Sequence, residues 1–358
     1  MGKVIYVPGA FESTFTHIDG RVEKINWWEH DKVWRHKYLL ISAGAYNLTD
    51  YNLRERMRIP DDVIVIGDSG GFQQATRNFN LNPISVLRWQ EKNCDIGVIL
   101  DRPPYKLRDD NGRHPILEKS TSNFNKYLEI TYDNARVMYD NRENKRLKLY
   151  GVIQGSNKHE IETWYDKING IGDWDGWAIA PKPPGDLLSL AMYLKFIEEN
   201  SINRLHIFLS TTIDAFMLVA YINSNYLDID ITMDSVSFLM AEKFGKIVSP
   251  ITYKFTDLFS RKYIGDKDIK WVCDCPWCTS YRDDLDEYVK TFDINFYYII
   301  NMHNLYKLVT FVDMVNEYAK DYDLFVDIVK QVASNPNNVL SVIDRYDKGF
   351  WNKDIFSF

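Results

Sequence analysis

Two groups of residues in this chain carry chemistry. The first is Cys273, Cys275 and Cys278, a C-x-C-x2-C run within WVCDCPWCTS, followed after twenty-four residues by His303 in YYIINMHNLY. Three thiolates and one imidazole fill a tetrahedral shell, which suits Zn2+ in a closed structural site with no open coordination position. Pro276 and the short spacings help turn the chain around such an ion. The alternative is a reduced cysteine cluster with His303 as an ordinary helix residue, but thiols this close are hard to keep free of metal or oxidation. The second group consists of polar residues placed where apolar runs stop. Asp68 follows VIVIG at 63–67, Asp101 follows GVIL at 97–100, Gln154 and Gly155 follow YGVI at 150–153, and Asp234 follows DITM at 230–233. Carboxylates gathered in one site can act as nucleophile and as general acid or base. Each of them alone also reads as an Asx turn or a helix N-cap.

The elements that must position these groups are legible from residue 63 onward. In VIVIGDSGGFQ at 63–73, four β-branched residues read as a buried strand. Ser69, Gly70 and Gly71 then let the backbone turn tightly and approach a ligand, because glycine carries no Cβ to clash. Further strands are expected at 96–100, 149–153, 176–179, 205–209 and 229–233, with helical spacing between them, as at 120–139 and 187–200. Strand–helix alternation of this kind signals a parallel sheet with crossover helices. Six or more units in a chain of this size favour an α/β fold of the (β/α)8 TIM-barrel type. Polar residues at the carboxyl ends of its strands would converge on one mouth. Residues 1–60, with YLLIS at 38–42 and Trp27, Trp28 and Trp34, read as N-terminal strands or hairpins covering the barrel. The barrel is then expected over 61–358, with an inserted zinc-binding subdomain at about 270–305.

Composition sets the class. Hydrophobic residues at 45% and charged residues at 26% of the 358 are globular proportions, which argue against disorder. No apolar run approaches a membrane span and no leader pattern opens the chain, so a soluble, cytoplasmic protein is expected. Of four cysteines, three fall within six residues, a poor disulfide framework and a good metal site. A net charge of −7 argues against a broad basic surface. One local exception runs from Lys243 to Lys270, where seven basic residues face three acidic ones for a net of +4. It reads equally as a phosphate-binding patch or as a solvated loop.

These motifs, in this order, resemble the tRNA-guanine transglycosylases, zinc-containing barrel enzymes that exchange guanine for a 7-deazaguanine within a polynucleotide. The resemblance runs from about Asp68 to His303. Asp68-Ser-Gly-Gly-Phe72-Gln73 fits the family's DSGGFQ segment, and Asp95 to Asp101 resembles the segment whose final aspartate reads the guanine edge. Gly151-Val-Ile-Gln154-Gly155 looks like the base-binding segment, Asp234-Ser-Val fits the nucleophile segment, and the cysteine–histidine set matches the zinc site. The resemblance implies Asp234 as nucleophile and Asp68 as general acid/base. It implies a base pocket built from Ser69, Gly70, Gly71, Phe72, Asp101, Gln154 and Gly155. Cys273, Cys275, Cys278 and His303 would hold one structural Zn2+.

The departures bear on the substrate. The family follows its nucleophile with Pro-Thr-Arg and a further arginine; this chain has SFLMAEKF at 237–244, without arginine. Ala180-Pro181-Lys182 stands where the family has Gly-Gly-Leu, and Pro181 has no N–H for a purine oxygen. No counterpart of the archaeal members' C-terminal RNA-binding domain follows His303. These features resemble the divergent viral and bacterial branch that acts on DNA and inserts 7-cyano-7-deazaguanine or a derivative. DNA is therefore the expected partner, tRNA the alternative, and oligomers are open. A non-catalytic, zinc-bearing nucleic-acid-binding subunit on the same barrel is a second reading. A metal-dependent hydrolase fails, because no histidine pair accompanies the strand-end aspartates.

Overall fold

Short runs of Val, Ile and Leu form eight parallel strands in a computed structural model of the chain. They are β1 Val4–Pro8, β2 Tyr38–Ser42, β3 Ile64–Asp68, β4 Ile96–Val98, β5 Lys148–Ile153, β6 Gly176–Ile179, β7 Arg204–Ile207 and β8 Asp230–Ser235. The structure describes residues 2–10, 15–18, 21–24, 26–29, 34–48, 50–76, 80–107, 115–117, 122–181, 185–208, 212–243, 245–257, 273–281 and 294–349. Each strand pairs with its neighbour in sequence from β2 to β8, and β8 pairs with β1. A bridge from Gly9 to Leu40, with the Ala10 N–H donating to the Leu40 carbonyl at 3.0 Å, carries β1 back to β2. The result is a nearly closed, TIM-like barrel of the expected α/β class. Most strand residues are buried, because side chains alternate between the barrel interior and the surrounding helices.

Helices follow most strands. After β2 come α1 Ala43–Tyr46 and α2 Leu53–Arg56; after β3, α3 Gly71–Thr76 and α4 Pro83–Asn93. α5 Ser122–Asp140, α6 Lys158–Asn169, α7 Leu187–Glu199 and α8 Ile213–Ile222 follow β4, β5, β6 and β7. Their ends obey local rules. Asn82 caps α4 by accepting from the Ile84 and Ser85 N–H groups, with Pro83 in the first turn. Asp186 and Thr212 cap α7 and α8 in the same way. Every residue of α8 is buried, since the helix lies between the barrel and a C-terminal layer.

That layer begins after β8 with α9 Ser237–Lys243, a hairpin of Lys246–Val248 with Phe255–Asp257, and the one-turn α10 Pro276–Ser280. The 25-residue α11 Ile294–Tyr318 then packs on β1, α8, α9 and α10. α12 Tyr322–Val332 and α13 Pro336–Asp347 close over α8. Among the described residues no helix is long and apolar enough to cross a membrane.

One boundary differs from the sequence reading. Residues 1–60 are not only a cover, because β1 and β2 supply two of the eight barrel strands. Among the described residues between them lies the hairpin of Phe15–Ile18 with Arg21–Lys24 and no crossover helix, so the strand–helix rhythm that marks the later units does not appear there. Trp27 and Trp28, both buried, meet edge to face at 4.7 Å, and Trp27 meets Phe238 of α9 at 5.4 Å. Burying an aromatic ring of this size contributes roughly 2–3 kcal/mol, so this pair ties the linker between β1 and β2 to the barrel.

Candidate active site and metal centre

Parallel pairing fixes which strand ends meet. Ser42 ends β2 in register with Asp68 at the end of β3, and its hydroxyl donates to Asp68 Oδ2 at 2.6 Å. Gly70 follows with φ +85°, in the left-handed region, and a Cβ there would strike the backbone of Gly44. Gly71 opens α3 against Asp101, where a Cβ would overlap the Asp101 carboxylate and carbonyl. Ser69 is buried and its Oγ accepts from the Gly71 N–H at 3.4 Å. The DSGG turn is thus packed on two neighbouring strand ends, which is why it needs both glycines. Phe72 lies in the first turn of α3, and its side chain is outside the described residues.

Asp101 stands beyond β4, and Gln154 beyond β5 is buried and donates from Nε2 to Asp101 Oδ2 at 2.8 Å. The carboxylate accepts only, so this bond orients the Gln154 amide. Gly155 continues the turn into α6, where its carbonyl accepts from the buried Tyr193 hydroxyl at 2.7 Å. Ala180 and Pro181 lie buried at the end of β6; Lys182 is outside the described residues.

Asp234 is near the end of β8 and only 6% exposed. Its Oδ1 faces His206 Nε2 on β7 at 3.5 Å. Asp228 and Asp230, the other acids near this strand, are exposed at its opposite end. The Asp68 carboxyl senses Asp234. Burial pushes the Asp68 carboxyl above its ordinary range, and the negative charge of Asp234 adds to this. Bonds from Ser42 and the Gly70 N–H, together with the proximity of His206, oppose it. A raised carboxyl beside a second carboxylate is the usual arrangement for dividing acid–base and nucleophilic roles.

Ser42 and His206 went unread in the sequence. His206 is a single polar residue within the run LHIFL at 205–209, and such a residue facing the interior of a barrel strand is a signal. Ser42 closes YLLIS as Asp68 closes the next strand, but without β2 in the barrel it had no position.

The cysteine–histidine group forms apart from the carboxylates. Cys273 and Cys275 lead into α10, Cys278 lies within it, and His303 comes from α11; all four are buried. The three sulfurs lie 3.4, 3.5 and 3.3 Å from His303 Nδ1, and the four ligand atoms all fall within 4.8 Å of one another. Zn–S and Zn–N bonds of about 2.3 and 2.0 Å in a tetrahedron put S and N roughly 3.6 Å apart, so the group could hold a metal ion such as zinc. His303 Nε2 donates to the Val248 carbonyl at 2.7 Å, which leaves Nδ1 with its lone pair toward the sulfurs. The Cys275 and Cys278 N–H groups point at sulfurs at 3.4 Å. Bonds from Cys275 and Cys278 hold the Cys273 thiol well below the usual thiol range and push those two thiols above it. Of the basic run between Lys243 and Lys270, Arg261, Lys262, Lys267 and Lys270 lie outside the described residues.

A comparison of the chain with protein-family models finds no match, and neither does one with curated proteins. The site's own geometry therefore carries the functional reading.

Proposed function

We propose that the protein is a base-exchange transglycosylase that replaces guanine in a polynucleotide, DNA before tRNA, with a 7-deazaguanine such as 7-cyano-7-deazaguanine. The observation that carries this reading is the half-buried Asp68, its carboxyl raised in part by Asp234, at a barrel mouth that also holds the Asp101–Gln154 pair.

Exchanging a base while keeping the sugar configuration takes two inversions through a covalent intermediate. Asp234 attacks C1′ as the bond from C1′ to N9 breaks, and Asp68, protonated at higher pH than an ordinary carboxyl, gives its proton to the leaving guanine. The incoming base then loses its N9 proton to Asp68 and attacks C1′, which frees Asp234. The guanine edge fits the pocket. Asp101 accepts from N1–H and the 2-amino group, while the remaining Gln154 N–H can reach O6. Gly70 and Gly71 would bring backbone within reach of the base. A base within a duplex must be flipped out first, at a cost of a few kcal/mol.

Cys273, Cys275, Cys278 and His303 would hold one Zn2+ per chain, which would supply folding energy and would hold α10 on α11.

The test offers purified protein labelled 7-cyano-7-deazaguanine with guanine-containing duplex DNA and, separately, bulk tRNA. Incorporation that disappears in Asp234→Ala supports the reading. Binding without incorporation would make the protein a non-catalytic subunit.

A further inference from the structure

The structure assigns His206 a task of its own: we propose that it is the positioning residue for Asp234, donating Nε2–H to Oδ1 so that Oδ2 faces the sugar carbon. The assignment rests on the reading of Asp234 as nucleophile.

β7 and β8 pair with His206 opposite Thr232. Strand alternation puts Thr232 and Asp234 on one side of β8, so the histidine ring lies beside both. His206 has no exposed surface. Its Nδ1 is 2.8 Å from Thr232 Oγ1, and the Phe208 ring meets it edge to face at 4.4 Å, so its plane is held from two sides. Nε2 then points at Asp234 Oδ1, 3.5 Å away. Among the described residues neither of these two buried atoms has a hydrogen-bond partner.

A ring nitrogen lone pair facing a carboxylate oxygen would repel it and leave both atoms unsatisfied, so a proton belongs between them. Two arrangements supply it. If Thr232 donates to Nδ1, the neutral ring carries its proton on Nε2. If Thr232 instead donates to the Leu205 carbonyl at 3.3 Å, Nδ1 must donate to Thr232, and only the imidazolium has a second proton for Asp234. Leu205 offers the longer of the two Thr232 contacts, so Thr232 donates to Nδ1 and the ring with its proton on Nε2 is assigned. At 3.5 Å the contact is loose for a hydrogen bond. Catalytic bonds of this kind tighten when substrate fills the site. With Oδ1 engaged from below, the carboxylate cannot spin and Oδ2 is presented to C1′.

Two measurements test this. In histidine-15N NMR of the wild-type protein, the His206 signal, identified by its loss in His206→Gln, should be that of a neutral ring protonated at Nε2. It should shift in Asp234→Asn. In the trapping assay with duplex DNA and 7-cyano-7-deazaguanine, His206→Phe removes the donor while keeping a ring. Covalent adduct formation should slow roughly 100-fold, with KM for the free base changed less than about twofold. His206→Gln, whose amide can place N–H near the same point, should recover to within about tenfold of wild type. Zinc content reports whether each variant is folded. A bare Nε2, or adduct formation in a folded His206→Phe at the wild-type rate, overturns the proposal. If wild-type protein exchanges no base, the transglycosylase reading falls instead, and the ring tautomer alone decides the His206–Asp234 bond.

Discussion

At the scale of single residues, the division of labour proposed for Asp68 and Asp234 rests on their surroundings. Asp234→Ala should lower base exchange by roughly 1,000-fold or more and remove the trapped adduct, with melting temperature and zinc content unchanged. An active Asp234→Ala would return Asp234 to a structural role. Asp68 makes a prediction of opposite sign for stability. Its carboxyl is held above the ordinary value of 3.8 mainly by burial, so ionising it costs more in the folded state than in the unfolded chain. That penalty is absent below the unfolded value and grows as pH rises through the folded one. Asp68→Asn removes it while keeping an acceptor for the Ser42 hydroxyl. The variant should be more stable than wild type at pH 7, gain nothing near pH 3, and lose exchange. Denaturant titrations at the two pH values check the sign. An equal gain at both would mean that ionisation is not its source.

At the scale of elements, the proposed metal centre would join pieces that are short by themselves. α10 is a single turn, too short to be stable alone, and Cys273, Cys275 and Cys278 at its start meet His303 of α11. Its surroundings are aromatic: Trp277 meets Trp34 at 6.0 Å, and Trp34 meets Tyr306 of α11 at 5.4 Å. His303 in turn binds the Val248 carbonyl, and Asn304 Oδ1 accepts from the Val248 N–H at 2.7 Å, so α11 also holds the hairpin after α9. Cys275→Ala should therefore bind less than one zinc per chain and melt on the order of 10 °C lower. Elemental analysis and calorimetry give the two readouts, and full zinc occupancy in the variant would exclude Cys275 as a ligand. The DSGG turn makes a second prediction at this scale. In Gly71→Ala the new methyl meets the Asp101 carboxylate and the backbone carbonyl behind it. The KM for the incoming base should rise by about tenfold or more, with the fold retained. An unchanged KM would place the base elsewhere.

At the scale of the whole molecule, the proposed reading expects DNA as the nucleic acid. No arginine stands in 237–244, where bidentate contacts to phosphates and base edges would come from. Phe238 and Leu239 of that stretch are buried in the body of the protein. The lysines from Lys243 onward can still neutralise phosphates, and binding of that type weakens steeply with salt. Offered equal nucleotide amounts of duplex DNA and bulk tRNA, the protein should label DNA. Label in tRNA alone would overturn the DNA assignment and leave the chemistry standing.

The sequence by itself determined the local features of this protein. The Cys273–Cys275–Cys278 spacing, the DSGG turn and the strands from 63 onward are short-range patterns, set by covalent geometry and side-chain alternation. Each was legible because its cause lies within about ten residues. What only the tertiary structure decided depends on pairing across the barrel. β1 joins the sheet through β8, a partner far along the chain, and among the described residues no helix between β1 and β2 announces it. Ser42 reaches Asp68 only because β2 and β3 share a register, and His206 reaches Asp234 only because β7 lies beside β8. The raised carboxyl of Asp68 has the same origin: burial and the charge of Asp234, one hundred and sixty-six residues away, act through space that only the closed barrel encloses.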